Sequence, residues 1–133
     1  MKTELMEKLV SSYPKLFSKV KRVDCGDGWF HLLNTLCNLI EHKISQLPLE
    51  MQSQVCISQV KEKFAGLRFH MDHSTPEMEG AIDLAEDLSQ TICEACGNSG
   101  QRRSLGTWLI TLCDTHYENE MKIREENLKR KKS

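Results

Sequence analysis

An α+β fold is what this sequence predicts, and three observations carry the prediction. Residues 29 to 47 repeat apolar side chains at helical period, and residues 55 to 72 switch to alternation at period two. Further on, Cys93-x2-Cys96 is followed, after sixteen residues, by Cys113-x2-His116. A chain of 133 residues with 39% hydrophobic content supports one ordinary core but hardly two. The expected organisation is a single domain over residues 1–133. Within it, 1–92 form a helical and hairpin core, 93–128 a metal-stapled part and 129–133 a basic tail.

In chain order, Leu5, Leu9 and Tyr13 recur at steps of four behind Thr3, which predicts a short helix capped by Thr3 and ending before Pro14. After Gly28, the residues Trp29, Leu32, Leu33, Leu36, Cys37, Ile40, Ile44 and Leu47 form one stripe opposite Asn34, Asn38, Glu41 and Ser45. This is the expected central helix, stopped by Pro48. Val55, Ile57 and Val60, then Leu67, Phe69 and Met71 alternating with Arg68, His70 and Asp72, predict two paired strands.

Their register follows from which faces would be apolar, since a slip of one residue exchanges the faces. With Ala65-Gly66 as a two-residue loop, Phe64 opposes Leu67 and Val60 opposes Met71. Lys61, Lys63, Arg68 and His70 then share the outer face. A three-residue loop would set Lys61 and Lys63 beside Leu67 and Phe69, burying charge against apolar surface.

Thr75-Pro76 opens a helix over residues 75–91 with Met78, Ile82, Ala85 and Leu88 inward and Glu77, Glu79, Asp83, Glu86 and Asp87 giving it an acidic face. Asn98-Ser99-Gly100 and Gly106 predict turns around strands at about 101–104 and 107–112, and Asp114 or Thr115 can cap a last helix through Met121 and Ile123.

Three thiolates and one imidazole, Cys93, Cys96, Cys113 and His116, satisfy a tetrahedral zinc ion and leave no position for a water nucleophile, so the expected cofactor is one structural Zn2+. Knuckle, hairpin and a second pair at a helix start resemble a treble-clef zinc finger, with Gly97 suiting the tight knuckle. The alternative is a redox C-x-x-C with Cys113 and His116 unrelated to it, which makes the second half-site a coincidence.

Three further constellations are weaker. Cys25 and His31 suggest a nucleophile and base, yet no third group orients them; in the plainer reading Asp27 caps the central helix, Gly26 and Gly28 turn the chain and Trp29 anchors the core. His70 and Asp72 share a strand face that His73 leaves, so few donors converge there. Finally, Lys61, Lys63, Arg68 and His70 with Arg102 and Arg103 form a candidate binding surface for phosphates or an acidic protein patch, weighed against a merely solvated face.

The formal net charge of −1 gives no global pull on nucleic acid, but the charges are segregated: residues 75–92 hold five acids and no base, and the chain closes on Lys129-Arg130-Lys131-Lys132. Residues 1–10 lack an apolar signal region, and no segment approaches the roughly twenty apolar residues of a membrane span. The four metal-spaced ligands then point to a reducing compartment with Cys25, Cys37 and Cys56 as free thiols, and hence to a cytoplasmic protein.

Gly28-Trp29, the run Gln59 to Phe69 (QVKEKFAGLRF), Thr91 to Gly97 (TICEACG) and the run from Trp108 through Thr111-Leu112-Cys113 to His116 together resemble a family of small uncharacterised proteins encoded by phages, prophages and bacteria. The resemblance covers about residues 24 to 117. It implies the zinc site and a phage-linked setting in a bacterial host cell, and carries no catalytic mechanism. Ala65 stands where the family pattern leads one to expect a second glycine.

The expected function is a non-enzymatic, zinc-stapled binding protein that docks on a host protein or nucleoprotein, as a phage-encoded inhibitor or regulator would. A nucleic-acid-binding zinc finger protein is the alternative. A zinc-dependent nuclease or hydrolase is the third reading, and it requires an open coordination position or a second metal.

Overall fold

The structure, a computed structural model, describes residues 1–132 and is α+β. Among the described residues the α-helices are α1 (Thr3–Ser12), α2 (Phe30–Ser45), α3 (Leu49–Gln52), α4 (Pro76–Ser89) and α5 (Asp114–Lys132). The strands β1 (Cys56–Lys63) and β2 (Gly66–Asp72) form one antiparallel ribbon, and β3 (Gln101–Leu105) and β4 (Trp108–Leu112) form another. The basic run Lys129–Lys132 belongs to the last turn of α5 rather than to a separate tail, and Ser133 lies outside the described residues.

The main core gathers Leu33, Leu36, Cys37 and Ile40 of α2, Leu9 of α1, Met78, Ile82 and Ala85 of α4, and Ile57, Val60, Leu67 and Phe69 of the first ribbon, around a fully buried Trp29. Leu16, Phe17 and Val23 join it from the irregular stretch after α1, where no periodic pattern marks them in the sequence. A second, small cluster of Cys93, Leu105, Ile110 and Leu112 underlies β3 and β4, with Cys113 and Tyr117 packed against it.

Helix α4 starts as its sequence dictates. Pro76 occupies the first turn, where its missing N–H costs nothing, and Thr75 Oγ1 accepts from the Met78 N–H at 3.3 Å. It ends at Ser89, short of the expected residue 91. Helix α1 departs from expectation: Thr3 is its first residue, not its cap, and Asp27 Oδ1 accepts from the Lys2 N–H at 2.7 Å across the fold. Asp27 thus serves α1 rather than capping α2, which is entered through a 3₁₀ turn at Asp27–Trp29 that has no side-chain cap.

The first ribbon corrects the predicted register by one residue in the loop. Its turn residues are Phe64 and Ala65, with φ of 52° and 70°, and Lys63 faces Gly66, Glu62 faces Leu67, Lys61 faces Arg68 and Val60 faces Phe69. Phe64 therefore does not oppose Leu67, and Val60 does not oppose Met71, which faces Ile57 beyond an irregularity between Ile57 and Gln59. Alternation still places Lys61, Lys63, Arg68 and His70 together on the outer face, because the expected apolar positions Leu67 and Phe69 keep their inward side.

Both edges of this ribbon are occupied. On the β2 side, the Leu67 N–H donates to Ser89 Oγ and the Phe69 N–H to Glu86 Oε2, each at 2.9 Å. On the β1 side, the Asp24 N–H donates to Val60 O at 3.0 Å and the Glu62 N–H to Asp24 O at 2.9 Å. Ser89 is fully buried and its hydroxyl donates onward to Glu86 O, so Ser89→Ala strands the Leu67 amide without water. A loss of about 1–3 kcal/mol is expected in denaturant unfolding, and an unchanged midpoint would show that the amide finds another acceptor.

Candidate metal centre

The knuckle that carries Cys93 and Cys96 is built by backbone contacts. Gly97 has φ of 84°, which only glycine adopts freely, and its N–H donates to Cys93 O at 2.9 Å. The Cys93 N–H donates to Asn98 O at 2.7 Å, and the Glu94 N–H donates to Thr111 O of β4 at 2.9 Å. The second pair sits at the start of α5, where the Tyr117 N–H donates to Cys113 O at 2.9 Å and the His116 N–H points at Cys113 Sγ at 3.5 Å.

These elements bring Cys93, Cys96, Cys113 and His116 together, their candidate ligand atoms all lying within 4.8 Å of one another. Cys93 Sγ is 3.8 Å from His116 Nδ1, Cys96 Sγ is 3.8 Å from Cys113 Sγ, and Cys113 Sγ is 3.2 Å from the same Nδ1. With metal–sulfur bonds of about 2.3 Å, the vertices of a regular tetrahedron lie about 3.8 Å apart, so two of these three edges match it, the third is shorter, and the donor set is that of a four-coordinate ion. It is Nδ1, not Nε2, that the fold presents, a choice set by the helix start and not readable from spacing.

The electrostatics also suit a cation. Burial disfavours the Cys93 thiolate, but the backbone N–H groups of Cys113, Cys96 and Ala95 outweigh it and hold this thiol below its ordinary range. At Cys96 the Asn98 amide favours the thiolate, yet burial and the sulfurs of Cys93 and Cys113 prevail and push the thiol up. A cation between the sulfurs would relieve the repulsion that the Cys96 thiol meets from its neighbours.

The segment Asp24 to Trp29 lies directly against the knuckle, which gives its glycines a role different from turning the chain. Neither has a positive φ. A Cβ on Gly28 would sit 2.1 Å from Cys93 O and 2.6 Å from Gly97 N, and one on Gly26 would sit 2.2 Å from Glu94 O. The Gly28 N–H donates to Glu94 O at 2.7 Å, the Gly26 N–H donates to Glu94 Oε2 at 2.9 Å, and Trp29 Nε1–H donates to Ile92 O at 2.9 Å. Burial pushes the Glu94 carboxyl up to about 7, against the opposing pull of the Gly26 N–H, with Glu62 adding to the rise.

The other candidate constellations are not brought together as ligand or catalytic sets. Burial, with Glu94 adding to it, pushes the Cys25 thiol up to about 12, the reverse of what a nucleophile needs. His31 is exposed on α2. Asp72 is taken by Lys19 at 3.2 Å, His73 adopts φ of 57°, and among the described residues no metal-type cluster includes them.

The candidate binding surface loses one member. Arg103 is not a free cation: its Nε–H donates to Leu112 O at 3.1 Å, its NH2 group donates to Asp114 Oδ1 at 2.5 Å, and its guanidinium stacks 4.6 Å from the centre of the Tyr117 ring. It braces the second ribbon against α5. Lys61, Lys63, Arg68 and Arg102 take part in none of the ion pairs found among the described residues. Sequence reasoning missed Phe64 as a surface residue, because the alternating pattern places it with the inward side chains.

No helix among the described residues is long and apolar enough to cross a membrane. No protein-family model, curated protein or solved structure matches this chain.

Proposed function

We propose that this protein is a non-enzymatic binding protein whose C-terminal part is stapled by one structural zinc ion. In this reading it acts in the bacterial cytoplasm, docking on a host nucleoprotein or protein as a phage-encoded inhibitor or regulator would. The observation that carries it is the completeness of the donor set: three sulfurs and one imidazole nitrogen within 4.8 Å fill a tetrahedron. The order of knuckle, β3–β4 hairpin and helix start supports a treble-clef assignment for this part. A hydrolytic zinc reading needs a vacant coordination position, which such a set does not offer.

The contact surface in this reading is the outer face of the first ribbon, where Lys61, Lys63 and Arg68 form no ion pair among the described residues. The same face favours nucleic acid as the second reading, since unpaired cations neutralise phosphates as readily as carboxylates.

The test is recovery of the tagged full chain from a bacterial host at low and high salt, alongside the double variant Lys61→Glu/Arg68→Glu. Close to one zinc per chain is expected in both proteins, with a partner retained by the wild type and absent from the variant. A zinc-loaded wild type that brings down nothing the variant does not also bring down would end this reading.

A further inference from the structure

The turn of the first ribbon holds two residues in the left-handed region that neither adopts freely, at a cost of roughly 1–2 kcal/mol each. For Ala65 the structure offers an offset. It is fully buried, its N–H donates to Glu62 Oε2 at 2.9 Å, and its carbonyl accepts from Thr111 Oγ1 at 2.7 Å, tying the ribbon to β4. For Phe64 there is none. The residue is 62% exposed, and the Lys63 ammonium lies 5.5 Å from the centre of its ring. Asparagine or glycine would hold this turn with less strain and without presenting an aromatic ring to water.

Strain without a structural return, at an exposed aromatic, points to a ligand. The surroundings say which kind. Lys61 faces Arg68 across the ribbon, and Lys63 lies beside the ring, all on the outer face and without ion pairs among the described residues. The acidic helix α4 meets the ribbon at the β2 edge, through Ser89 and Glu86, and none of its acids forms an ion pair with these cations among the described residues. A flat ring at the tip of a cationic ribbon suits stacking of an unpaired base with phosphates laid along the cations, as in single-strand binding grooves. Duplex bases are already stacked on one another, and an acidic protein patch has no need of the ring.

We infer that Phe64, with Lys61, Lys63 and Arg68, forms a contact for single-stranded nucleic acid: one base stacks on Phe64 and the neighbouring phosphates lie on the three cations. The inference rests on the nucleic-acid form of the binding reading above, the second one given there, and names its partner.

The experiment measures anisotropy of a short labelled oligothymidylate, and of a duplex of equal length, with the zinc-loaded full chain over a series of salt concentrations. The single strand is expected to bind more tightly than the duplex. Phe64→Asn should weaken it roughly five- to a hundredfold with the salt slope unchanged, and Phe64→Trp should retain it. Lys61→Ala/Arg68→Ala should flatten the slope of log affinity against log salt by about 0.7 for each phosphate that is no longer neutralised. Because Asn accepts the left-handed turn, Phe64→Asn should also melt at a higher temperature than the wild type, so its weaker binding is not a loss of fold.

Equal affinity for strand and duplex, wild-type binding by Phe64→Asn, or no binding by the wild type would overturn the inference. Capture of a protein partner that Lys61→Glu/Arg68→Glu fails to capture, with no strand binding, would overturn this contact and leave the binding reading standing. Absence of both would end both.

Discussion

In the zinc-stapled reading, chelation of the metal, or Cys113→Ala, should unfold the C-terminal part of the chain while the main core remains folded. The reason is the smallness of what else holds it. The apolar cluster under β3 and β4 consists of Cys93, Leu105, Ile110 and Leu112, and its two partly buried neighbours, Cys113 and Tyr117, belong to the candidate metal centre and to the first turn of α5. Ordering the backbone of the knuckle and both strands costs roughly 1–2 kcal/mol per residue, far more than four buried side chains return at about 1.5–3 kcal/mol each. Structural zinc supplies an apparent ~10–16 kcal/mol in comparable small sites. The main core of α1, α2, α4 and the first ribbon has its own buried cluster around Trp29 and should persist, loosened where Trp29 Nε1 and the Gly28 amide meet residues 92–94. Amide hydrogen exchange resolved along the chain provides the check. Protection should vanish across residues 93–120 on chelation, survive in α2, and return when zinc is restored. Unchanged protection at β3 and β4 would mean that no metal holds this part.

The second large effect is expected at Gly28→Ala. The added methyl would lie within 2.7 Å of Cys93 O, Gly97 N and Glu94 C, all of them backbone atoms that cannot swing aside. Relief requires separating residues 26–28 from the knuckle, which breaks the Gly28 N–H bond to Glu94 O and shifts Cys93 relative to Cys113. About 3 kcal/mol or more of stability should be lost, together with weakened metal retention against a competing chelator. Gly80→Ala is the control. A Cβ there meets nothing within 4 Å, and its place inside α4 makes a gain of up to about 1 kcal/mol the expectation. Paired thermal melts and metal-competition titrations decide the matter, and similar behaviour of the two variants would refute the close-approach argument.

What was legible in the sequence was whatever local periodicity or fixed spacing encodes. The stripe from Leu33 to Ile40 and the Thr75-Pro76 helix start are satisfied within a few residues of chain, and the four metal-type side chains converge as their spacing implies. The illegible features depend on distant partners. Asp27 looks like the cap of the helix that follows it, yet it serves α1. Gly26 and Gly28 look like turn residues because glycine signals both flexibility and close approach, and only the fold reveals the knuckle behind them. Arg103 reads as surface charge, but Tyr117 and Asp114 arrive from fourteen and eleven residues further along to enclose it. Phe64 follows the apolar alternation of its strand, and a turn displaced by one residue was enough to move it from the inward face to the tip.

The occupied edges of the first ribbon have a consequence for how copies of this chain behave toward one another. An open edge strand offers a row of free amides and carbonyls to any extended segment, and it is a common starting point for aggregation and strand exchange. Here the outward-pointing amides of Leu67 and Phe69 are taken by side chains of α4, and those of Asp24 and Glu62 close the other side. On the β2 side the caps are side chains, which do not propagate as a strand would, and on the β1 side the backbone of Asp24 fills the edge as a single isolated bridge. The ribbon can then present an exposed ring and a row of cations to a partner while giving a second copy of itself no strand to extend.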